Sequence, residues 1–272
     1  MSDRSNRYGL FGNPVAQSLS PLMHRAAYQD LCIQGSYDVW PVKYPREIVR
    51  KIREEGIIGA SITIPFKEAV REYLDEVDET ARIIGSVNTI VNNGIKLKGF
   101  NTDWMGLVRG LAEHLEMKGK SFAILGAGGT ARSAAFGILR EGGTPIIFSR
   151  TLARGEDLAD ALGCRAKPFD TIEGFRSDVL INTTPVGMAP DTGRSPLSTV
   201  DLGRFKYVMD VIYNPIQTKL LKDAELAGCH VINGVGMFVH QGAEQIRIWT
   251  GMEPPLKQMR QAVERELDRL SV

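Results

Sequence analysis

The sequence predicts an α/β protein of two domains, an N-terminal α/β substrate domain and a Rossmann-like, doubly wound dinucleotide-binding domain. Short apolar runs alternate with segments of helical period along most of the 272 residues, which is typical of α/β architecture. The alternation starts afresh at Ser121, directly after the polar stretch Glu113–Lys120, and this restart indicates a domain boundary. A glycine-rich turn at Gly126–Ala131 then connects the first strand of the second series to a helix.

The first series contains five predicted strands and four predicted helices. The strands are expected at Tyr8–Phe11, Tyr37–Trp40, Ala60–Ile64, Val87–Val91 and Lys96–Phe100. The helices are expected at Pro21–Leu31, Pro45–Arg53, Lys67–Tyr73 and Trp104–Leu111.

The second series contains five predicted strands. They are expected at Phe122–Leu125, Ile146–Phe148, Val179–Asn182, Tyr207–Val211 and His230–Ile232. Two amphipathic helices follow, Met237–Trp249 and Leu256–Leu270, and we expect them to pack back on the first domain because the Rossmann-like unit is already complete. We therefore assign residues 1–103 and 238–272 to a substrate-binding and catalytic domain, and residues 104–237 to the dinucleotide-binding domain.

The glycine-rich turn has the pattern of a dinucleotide site. Gly126 permits a tight turn, Gly128 lets the backbone approach a pyrophosphate, and Ala131 is small enough for close packing of helix on strand. Such turns also occur for structural reasons alone, but here a strand, a helix and a second strand surround it. The candidate pyrophosphate-binding residues are Gly126, Ala127, Gly128, Gly129 and Thr130.

The end of the second strand indicates which dinucleotide binds. A protein that binds NAD usually carries Asp or Glu there for the ribose 2′-hydroxyl, but this chain has Ser149 and Arg150, with Thr151 next and Arg154 beyond. A guanidinium can hold a 2′-phosphate through a pair of charge-assisted hydrogen bonds. We therefore predict NADP(H) as the cofactor; the alternative is that both arginines are solvated residues at a helix start.

Composition and charge exclude several classes of protein. The formal net charge of +1 gives no reason to expect nucleic acid or an anionic membrane as a partner. No apolar run is long enough to span a bilayer, and the polar stretch Met1–Arg7 is unlike a signal peptide, so a cytoplasmic protein is expected. The three cysteines are scattered singly and the four histidines lack metal-ligand spacing, so no metal site is expected. Monomer and homodimer both stay open.

Four polar segments of the first domain lie where strands end or helices begin. These are Ser18–Pro21, Ser61–Lys67, Val87–Thr89 and Asn101–Asp103. In α/β proteins such positions carry the chemistry. Together the segments supply hydroxyls, an amide, an ammonium and a carboxylate, a set that suits a small polyhydroxylated acid better than an apolar ligand.

Each of these residues also has a structural interpretation. Ser20 and Asp103 are suited to capping helices. Thr63 and Lys67 are compatible with a solvent-facing surface, and Asn88 with satisfying its own turn. The functional interpretation therefore depends on the combination.

The combination resembles the shikimate dehydrogenase family from about Tyr8 to Leu256. The segments that carry the resemblance are Gly12–Pro14, Ser18–Pro21, Thr63–Lys67, Gly85–Thr89, Asn101–Asp103, Gly126–Arg132, Ser149–Thr151, Asn182–Pro185, Asp210–Pro215, Asn233–Met237 and Gln241. The resemblance implies reversible, NADPH-dependent reduction of 3-dehydroshikimate to shikimate, a step in the biosynthesis of chorismate and the aromatic amino acids.

The resemblance also implies a role for individual residues. Lys67 and Asp103 would be the catalytic pair. The substrate would be bound by Ser18, Ser20, Thr63, Lys67, Asn88, Asp103, Tyr213 and Gln241. The NADP site would comprise Gly126, Ala127, Gly128, Gly129, Thr130, Ser149, Arg150, Thr151, Arg154, Val211 and Gly234.

Two positions depart from the family pattern, and two rival functions stay open. Ser61 stands where the family often has Asn, and Phe100 replaces a residue that is frequently small or acidic. Both departures affect the expected shape of the pocket rather than the catalytic pair.

The two rival functions are a related enzyme that accepts quinate or NAD, and a non-catalytic NADP-binding regulator on the same scaffold.

Overall fold

The computed structural model describes residues 6–270 and divides the chain into two compact units. Residues 1–5, part of the polar N-terminus for which no signal peptide is expected, and residues 271–272 lie outside the described residues. The first unit ends at Thr102 and takes in Val239–Arg265, and the second comprises Asp103–Phe238 and resumes at Glu266. The polar stretch Glu113–Lys120 therefore lies inside the second unit and not at the boundary, since the helix before it packs into that unit's core.

The first unit contains a six-stranded mixed sheet. Its strands are β1 Asn6–Gly12, β2 Gly35–Pro41, β3 Gly59–Ile62, β4 Glu76–Val77, β5 Thr89–Asn92 and β6 Leu97–Phe100. Their order in the sheet is β2-β1-β3-β5-β6-β4. β1 is parallel to β2 and β3, whereas β5 is antiparallel to β3 and β6. The helices of this part of the chain are α1 Ser20–Asp30, α2 Pro45–Glu54 and α3 Glu79–Ile84, with a 3-10 helix at Ala69–Tyr73.

α2 shows how the local sequence builds the core of the first unit. Pro45 lies in the first turn, where its missing N–H costs nothing, and Glu47 accepts hydrogen bonds from the two backbone N–H groups before the helix. Ile48 and Ile52 are one turn apart, fully buried, and pack with Ile62 of β3. Burial of two such side chains stabilises the unit by roughly 3–6 kcal/mol.

The second unit is a doubly wound, six-stranded parallel sheet, which confirms the predicted fold class. Its strands are β7 Ser121–Leu125, β8 Thr144–Ser149, β9 Arg165–Pro168, β10 Ser177–Asn182, β11 Phe205–Asp210 and β12 His230–Ile232. Its helices are α4 Asp103–Ala112, α5 Gly129–Arg140, α6 Leu152–Leu162, α7 Thr199–Leu202 and α8 Lys219–Leu226, with a 3-10 helix at Phe169–Ile172. The strand order β12-β11-β10-β7-β8-β9 reverses between β7 and β10, and dinucleotides bind at such a point.

Both faces of this sheet are buried, as its near-continuous apolar strands predict. Phe122 and Ile124 face a core shared with α4 and α5, while Ala123 and Leu125 face a second core that includes α8. The alternation follows from the two-residue period of a strand. The carboxyl ends of β7, β10 and β11 are thereby fixed between two packed layers.

Two long helices complete the chain, α9 Val235–Thr250 and α10 Leu256–Leu270. From Val239 to Arg265 the chain belongs to the first unit. The indole Nε1 of Trp249 donates to the backbone oxygen of Ile90 at 3.1 Å, and the Trp249 ring lies 5.3 Å from that of Tyr8. None of the helices among residues 6–270 has the length and apolar character needed to cross a membrane.

Several predicted elements differ from the structure near the candidate site. The predicted helix Lys67–Tyr73 is wrong: only a 3-10 helix forms, from Ala69. The Lys67 carbonyl accepts a hydrogen bond from Val87 N at 2.8 Å, so it is not engaged in a helical hydrogen bond. β3 ends at Ile62 and β5 begins at Thr89, which leaves Thr63, Val87 and Asn88 in loops.

Candidate active site

The loop after β1 carries the first two candidate residues. Ser18 Oγ donates to Ser20 Oγ at 3.1 Å. α1 begins at Ser20, but its N-cap is Leu19 and no side chain caps it, so the capping role considered for Ser20 is wrong. The backbone N of Asn13 donates to the Ile64 carbonyl at 2.9 Å, which ties this loop to the loop after β3. The Ser18 hydroxyl therefore lies in a loop that is tied to the Thr63–Lys67 segment, and the Ser20 hydroxyl lies on the first residue of the helix that follows this loop.

Thr63 and Lys67 lie in the loop after β3 and are both half-buried. Thr63 N donates to the Phe11 carbonyl at 2.9 Å, and the Thr63 carbonyl accepts from Phe66 N at 3.0 Å. The Lys67 carbonyl is bonded to Val87 N. The backbone of this segment is thus held from both sides, and Lys67 does not belong to a freely solvated surface.

Asn88 joins two other candidate segments through its side chain, and it is 2% exposed. Its Oδ1 accepts from Thr102 N at 2.7 Å, and its Nδ2 donates to Thr102 Oγ1 at 2.9 Å. The same Nδ2 lies 3.4 Å from Gln241 Oε1. Asn88 therefore does more than satisfy its own turn, because it fixes the residue that directly precedes Asp103.

A chain of buried hydrogen bonds connects Tyr37 to the backbone of Asn88. Tyr37 OH donates to Ser61 Oγ at 2.7 Å, and Ser61 Oγ donates to Gln245 Oε1 at 2.9 Å. Gln245 Nε2 then donates to the Asn88 carbonyl at 3.2 Å and to Thr89 Oγ1 at 3.0 Å. Ser61, where the family often has Asn, is thus a buried link in this chain.

His24 packs against the same buried region and has a structural role. Its ring stacks on Tyr37 with centroids 4.2 Å apart, and its Nδ1 lies 2.9 Å from the Ser20 carbonyl. Complete burial lowers the pKa of His24 to about 4, so the imidazole is neutral at physiological pH.

Asp103 and Tyr213 belong to the second unit. Asp103 is the first residue of α4 and is 4% exposed. A carboxylate at a helix N-terminus interacts favourably with the helix dipole. The Tyr213 ring stacks on Phe238, with centroids 4.1 Å apart and an interplanar angle of 23°. The Tyr213 ring is therefore held within its own unit, and the Asp103 carboxylate is stabilised by its position at the helix start.

The glycine-rich turn between β7 and α5 fits a pyrophosphate. Gly126 has φ +109°, and a Cβ there would lie 2.8 Å from Thr183 Oγ1. α5 starts after Gly128, with neither a side-chain cap nor an acidic residue in its first turn. Backbone N–H groups at such a helix start bind anions, because the dipole adds positive potential there. Gly129 and Thr130 open the helix, so their N–H groups belong to this first turn.

The end of β8 carries the candidate 2′-phosphate site. Ser149 is buried and its Oγ donates to the Thr151 carbonyl at 2.9 Å, whereas Arg150 and Arg154 are exposed. Thr151 is the N-cap of α6 without using its side chain as a cap. Two cations beside a helix start, with no acidic residue at the strand end, favour a phosphorylated ribose over a free 2′-hydroxyl.

Val211 and Gly234 approach each other on the other side of β7. β11 ends at Asp210, so Val211 lies just beyond the strand rather than inside it, and its N donates to the Asn182 carbonyl at 3.1 Å. A Cβ on Gly234 would lie 2.3 Å from the Val211 carbonyl oxygen. Any larger residue at position 234 would displace the loop that carries Val211.

The structure thus places the candidate residues in two groups. Within the first unit the hydrogen bonds connect the segments that carry Ser18, Ser20, Thr63, Lys67, Asn88 and Gln241. Within the second unit the cofactor candidates line the carboxyl edge of the parallel sheet. Thr102 lies within the predicted segment Asn101–Asp103 but was given no role of its own. Gln245 was not identified from the sequence, and its spacing of one helical turn from Gln241 was the available signal. Among residues 6–270 no cluster of His, Cys, Asp and Glu is able to hold a metal ion.

Two protein-family models and a curated relative match this chain. Residues 10–90 match the model of the shikimate dehydrogenase substrate binding domain, and residues 234–264 match that of the shikimate 5′-dehydrogenase C-terminal domain. A shikimate dehydrogenase (NADP(+)) of Methanothermobacter thermautotrophicus is 42% identical over 96% of each chain.

Solved structures agree with these matches. A shikimate dehydrogenase crystallised in complex with NADP+ superimposes with a TM-score of 0.90 at 35% identity, over 97% of this chain and 96% of that one. An enzyme from Thermus thermophilus, solved with NADP(H) and shikimate, has a TM-score of 0.87 at 34% identity, over 96% of this chain and 99% of that one.

Proposed function

The chain belongs to the shikimate dehydrogenase family, and from this premise we propose that Lys67 and Asp103 form its catalytic pair. The reaction is the reversible, NADPH-dependent reduction of 3-dehydroshikimate to shikimate, in the biosynthesis of chorismate and the aromatic amino acids. One observation carries the proposal: the Val87–Asn88 segment bonds both to the Lys67 carbonyl and to Thr102, the residue before Asp103. The backbone at Lys67 and the residue that precedes Asp103 are therefore held by one short segment.

The chemistry explains why an ammonium and a carboxylate are needed together. NADPH, when bound, supplies the hydride that reduces the substrate carbonyl. Negative charge then develops on the carbonyl oxygen, and the Lys67 ammonium donates a hydrogen bond or a proton to it. The Asp103 carboxylate orients the ammonium. In the oxidative direction the pair accepts the proton of the shikimate hydroxyl, and we assign this transfer to the pair as a unit.

We propose that a set of polar side chains holds the substrate. The carboxylate and the hydroxyls of shikimate require donors and acceptors at fixed positions, and hydroxyl and amide groups supply both. In the first unit these groups lie on segments that are hydrogen-bonded to one another. The proposed substrate-binding residues are Ser18, Ser20, Thr63, Lys67, Asn88, Asp103, Tyr213 and Gln241.

The proposed cofactor site follows the edge of the parallel sheet from β8 to β11. Gly126, Ala127, Gly128, Gly129 and Thr130 receive the pyrophosphate. Ser149, Arg150, Thr151 and Arg154 receive the 2′-phosphate, and Val211 and Gly234 line the opposite end. Two observations support this site. The turn leaves no room for a Cβ at Gly126, and the helix that follows has no acidic residue in its first turn.

Three further features are proposed alongside the site. We place the domain limits at residues 103/104 and 237/238, each within one residue of a boundary between the compact units. The exposed thiol of Cys32, which forms no disulfide, is typical of a reducing compartment, and we propose the cytoplasm. We propose a monomer or a homodimer as the assembly.

An activity assay with matched substrates tests this function against its rivals. Purified protein is given shikimate or quinate with NADP+ or NAD+, in all four pairings, and nicotinamide absorbance is followed. Strong turnover with shikimate and NADP+ alone is expected. Comparable rates with quinate or NAD+ would indicate a broader enzyme, and binding of NADP+ without turnover would indicate the regulator.

A further inference from the structure

A buried carboxylate lies in the row of residues that ends the central strands of the parallel sheet. Leu125 of β7, Asn182 of β10 and Asp210 of β11 are register partners, each the last residue of its strand. Asp210 is fully buried. Leu125 directly precedes Gly126, and Asp210 directly precedes Val211. Both of these following residues are proposed to line the cofactor site.

Three neutral groups donate hydrogen bonds to this carboxylate. Oδ1 accepts from Asn182 Nδ2 and from the backbone N of Ile212, both at 3.1 Å. Oδ2 accepts from Thr218 Oγ1 at 2.7 Å. All three groups act as donors, so the arrangement is complementary to an ionised carboxylate.

Each donor belongs to a different structural segment. Asn182 ends β10 and anchors the loop that follows it, because its Oδ1 accepts from Thr184 N at 3.0 Å and from Thr184 Oγ1 at 2.7 Å. Ile212 lies in the loop after β11, where its carbonyl accepts from Gly234 N at 3.2 Å. Thr218 caps α8 by accepting from Leu221 N. One carboxylate therefore fixes two loops and a helix start.

These loops lie on one side of the glycine-rich turn. The sheet order places β10 and β11 on the side of β7 opposite to β8, whose end carries Arg150. A dinucleotide bound across the reversal point, with its 2′-phosphate at the end of β8, directs its nicotinamide half toward β10 and β11. The loops that Asp210 holds are thus the ones that face the reactive ring.

We propose that Asp210 is a positioning residue for the nicotinamide half of the cofactor, acting through the loops after β10 and β11. The proposal rests on the NADP site described under the proposed function. Asn in place of Asp210 has the same shape, but its amide nitrogen accepts no hydrogen bond. Depending on its orientation, the Asn side chain loses either the bond that Thr218 donates at the start of α8 or both bonds that anchor the two loops. Burial disfavours the ionised form of this carboxyl group and raises the pKa of Asp210 to about 6. The stability of the fold therefore does not by itself explain why an ionisable residue lies here.

The test compares Asp210→Asn with a matched control in the same sheet. Asp178 accepts from Ser121 N at 2.8 Å and from Ser121 Oγ at 2.7 Å, and it joins β10 to β7 at their amino ends. Asp178→Asn therefore removes a half-buried carboxylate that accepts from a backbone N–H and a hydroxyl at the opposite edge of the sheet. For each variant we would measure Tm, kcat, KM for shikimate, and Kd for NADP+ and for adenosine 2′,5′-bisphosphate, which lacks the nicotinamide.

Asp210→Asn is expected to lower kcat by about tenfold to a hundredfold, since small displacements of a reacting group have effects of this size. The Kd for adenosine 2′,5′-bisphosphate and the KM for shikimate are expected to change by less than about twofold. Asp178→Asn is expected to leave all the kinetic and binding constants unchanged. Equal effects of the two variants, or loss of adenosine 2′,5′-bisphosphate binding in Asp210→Asn, would overturn the proposal.

A second pair of variants covers the case in which Asp210→Asn fails to fold. Thr218→Val removes one donor while it keeps the volume, and Thr218→Ser keeps the hydroxyl. We expect the valine variant to lower kcat and the serine variant to restore it; equal rates would contradict the role of Asp210. An Arg150→Ala variant that binds adenosine 2′,5′-bisphosphate as tightly as the parent would instead refute the proposed cofactor site, whatever Asp210→Asn does.

Discussion

Asn88 and Thr102 hold each other through two hydrogen bonds, from Thr102 N to Asn88 Oδ1 at 2.7 Å and from Asn88 Nδ2 to Thr102 Oγ1 at 2.9 Å. The relationship is informative because Thr102 directly precedes Asp103. A single buried amide thus controls the position of the backbone from which the proposed catalytic carboxylate emerges. Its second neighbour, Gln241, is a proposed substrate contact.

Asn88→Ala is therefore expected to lower kcat as well as raise KM for shikimate. Both bonds to Thr102 would be lost, and each is worth about 1 kcal/mol, so kcat/KM should fall about thirtyfold or more. Asn93→Ala is a suitable control, because the exposed Asn93 accepts from Ile95 N and Lys96 N within the turn between β5 and β6. Steady-state kinetics of both variants check the prediction, and a rise in KM alone would show that Asn88 contacts substrate without positioning Asp103.

Lys67→Ala is expected to lower kcat by about 10²–10⁴-fold, the usual cost of losing a general acid–base group. Affinity for NADP+ should stay within about twofold of the parent, because Lys67 is assigned to the substrate and not to the cofactor. Lys96→Ala provides the control: this exposed lysine pairs with Glu76, near the turn between β5 and β6. Turnover of the Lys67 variant at nearly the parental rate would refute the catalytic assignment.

Much of the fold could be predicted because buried parallel strands have continuous apolar sequences. β7, β10 and β11 are of this kind: β7 begins one residue and β10 two residues before the predicted start, and β11 begins two residues earlier and ends one residue earlier than predicted. β9, at the edge of its sheet, was missed because Arg165–Pro168 contains two cations and a proline. β4 was missed because two residues show no period, and α3 because it is barely longer than one turn.

The candidate site could be predicted only where residues lie next to recognisable strand ends. Ser18, Thr63 and Asn88 were found in that way. Gln245 was missed because its partners Asn88 and Thr89 lie more than 150 residues away, and its spacing of one helical turn from Gln241 does not identify those partners. Asp210 begins the segment Asp210–Pro215 that carries the resemblance, but its hydrogen bond to Asn182 depends on the register of β10 and β11, which the linear sequence does not display.

Arg150→Ala is expected to weaken binding of NADP+ by about tenfold to a hundredfold and to leave the affinity for NAD+ nearly unchanged. The reason is that one charge-assisted bond to a 2′-phosphate contributes about 1.5–3 kcal/mol, and NAD+ has no such phosphate. Arg176, exposed directly before β10 at the amino edge of the sheet, provides Arg176→Ala as the control. Calorimetric titration with both dinucleotides measures the two affinities. Equal weakening of NAD+ and NADP+ binding would count against the 2′-phosphate site.

The buried charge of Asp210 predicts an unusual pH dependence of stability. Burial raises its pKa to about 6 from an ordinary value of 3.8. Between about pH 4 and pH 6 the folded protein therefore holds this proton more tightly than the unfolded chain does, so the free energy of unfolding falls as pH rises through that range. Two pKa units correspond to about 3 kcal/mol.

Comparison of the parent with Asp210→Asn isolates this contribution, because the other carboxylates are common to both proteins. The stability of the parent relative to the variant should be greatest near about pH 4, fall as pH rises to about 6, and stay constant above that value. Urea denaturation at a series of pH values measures the difference. A difference that is constant across the range, or that grows with pH, would mean that Asp210 is not the group whose proton is bound more tightly in the folded state.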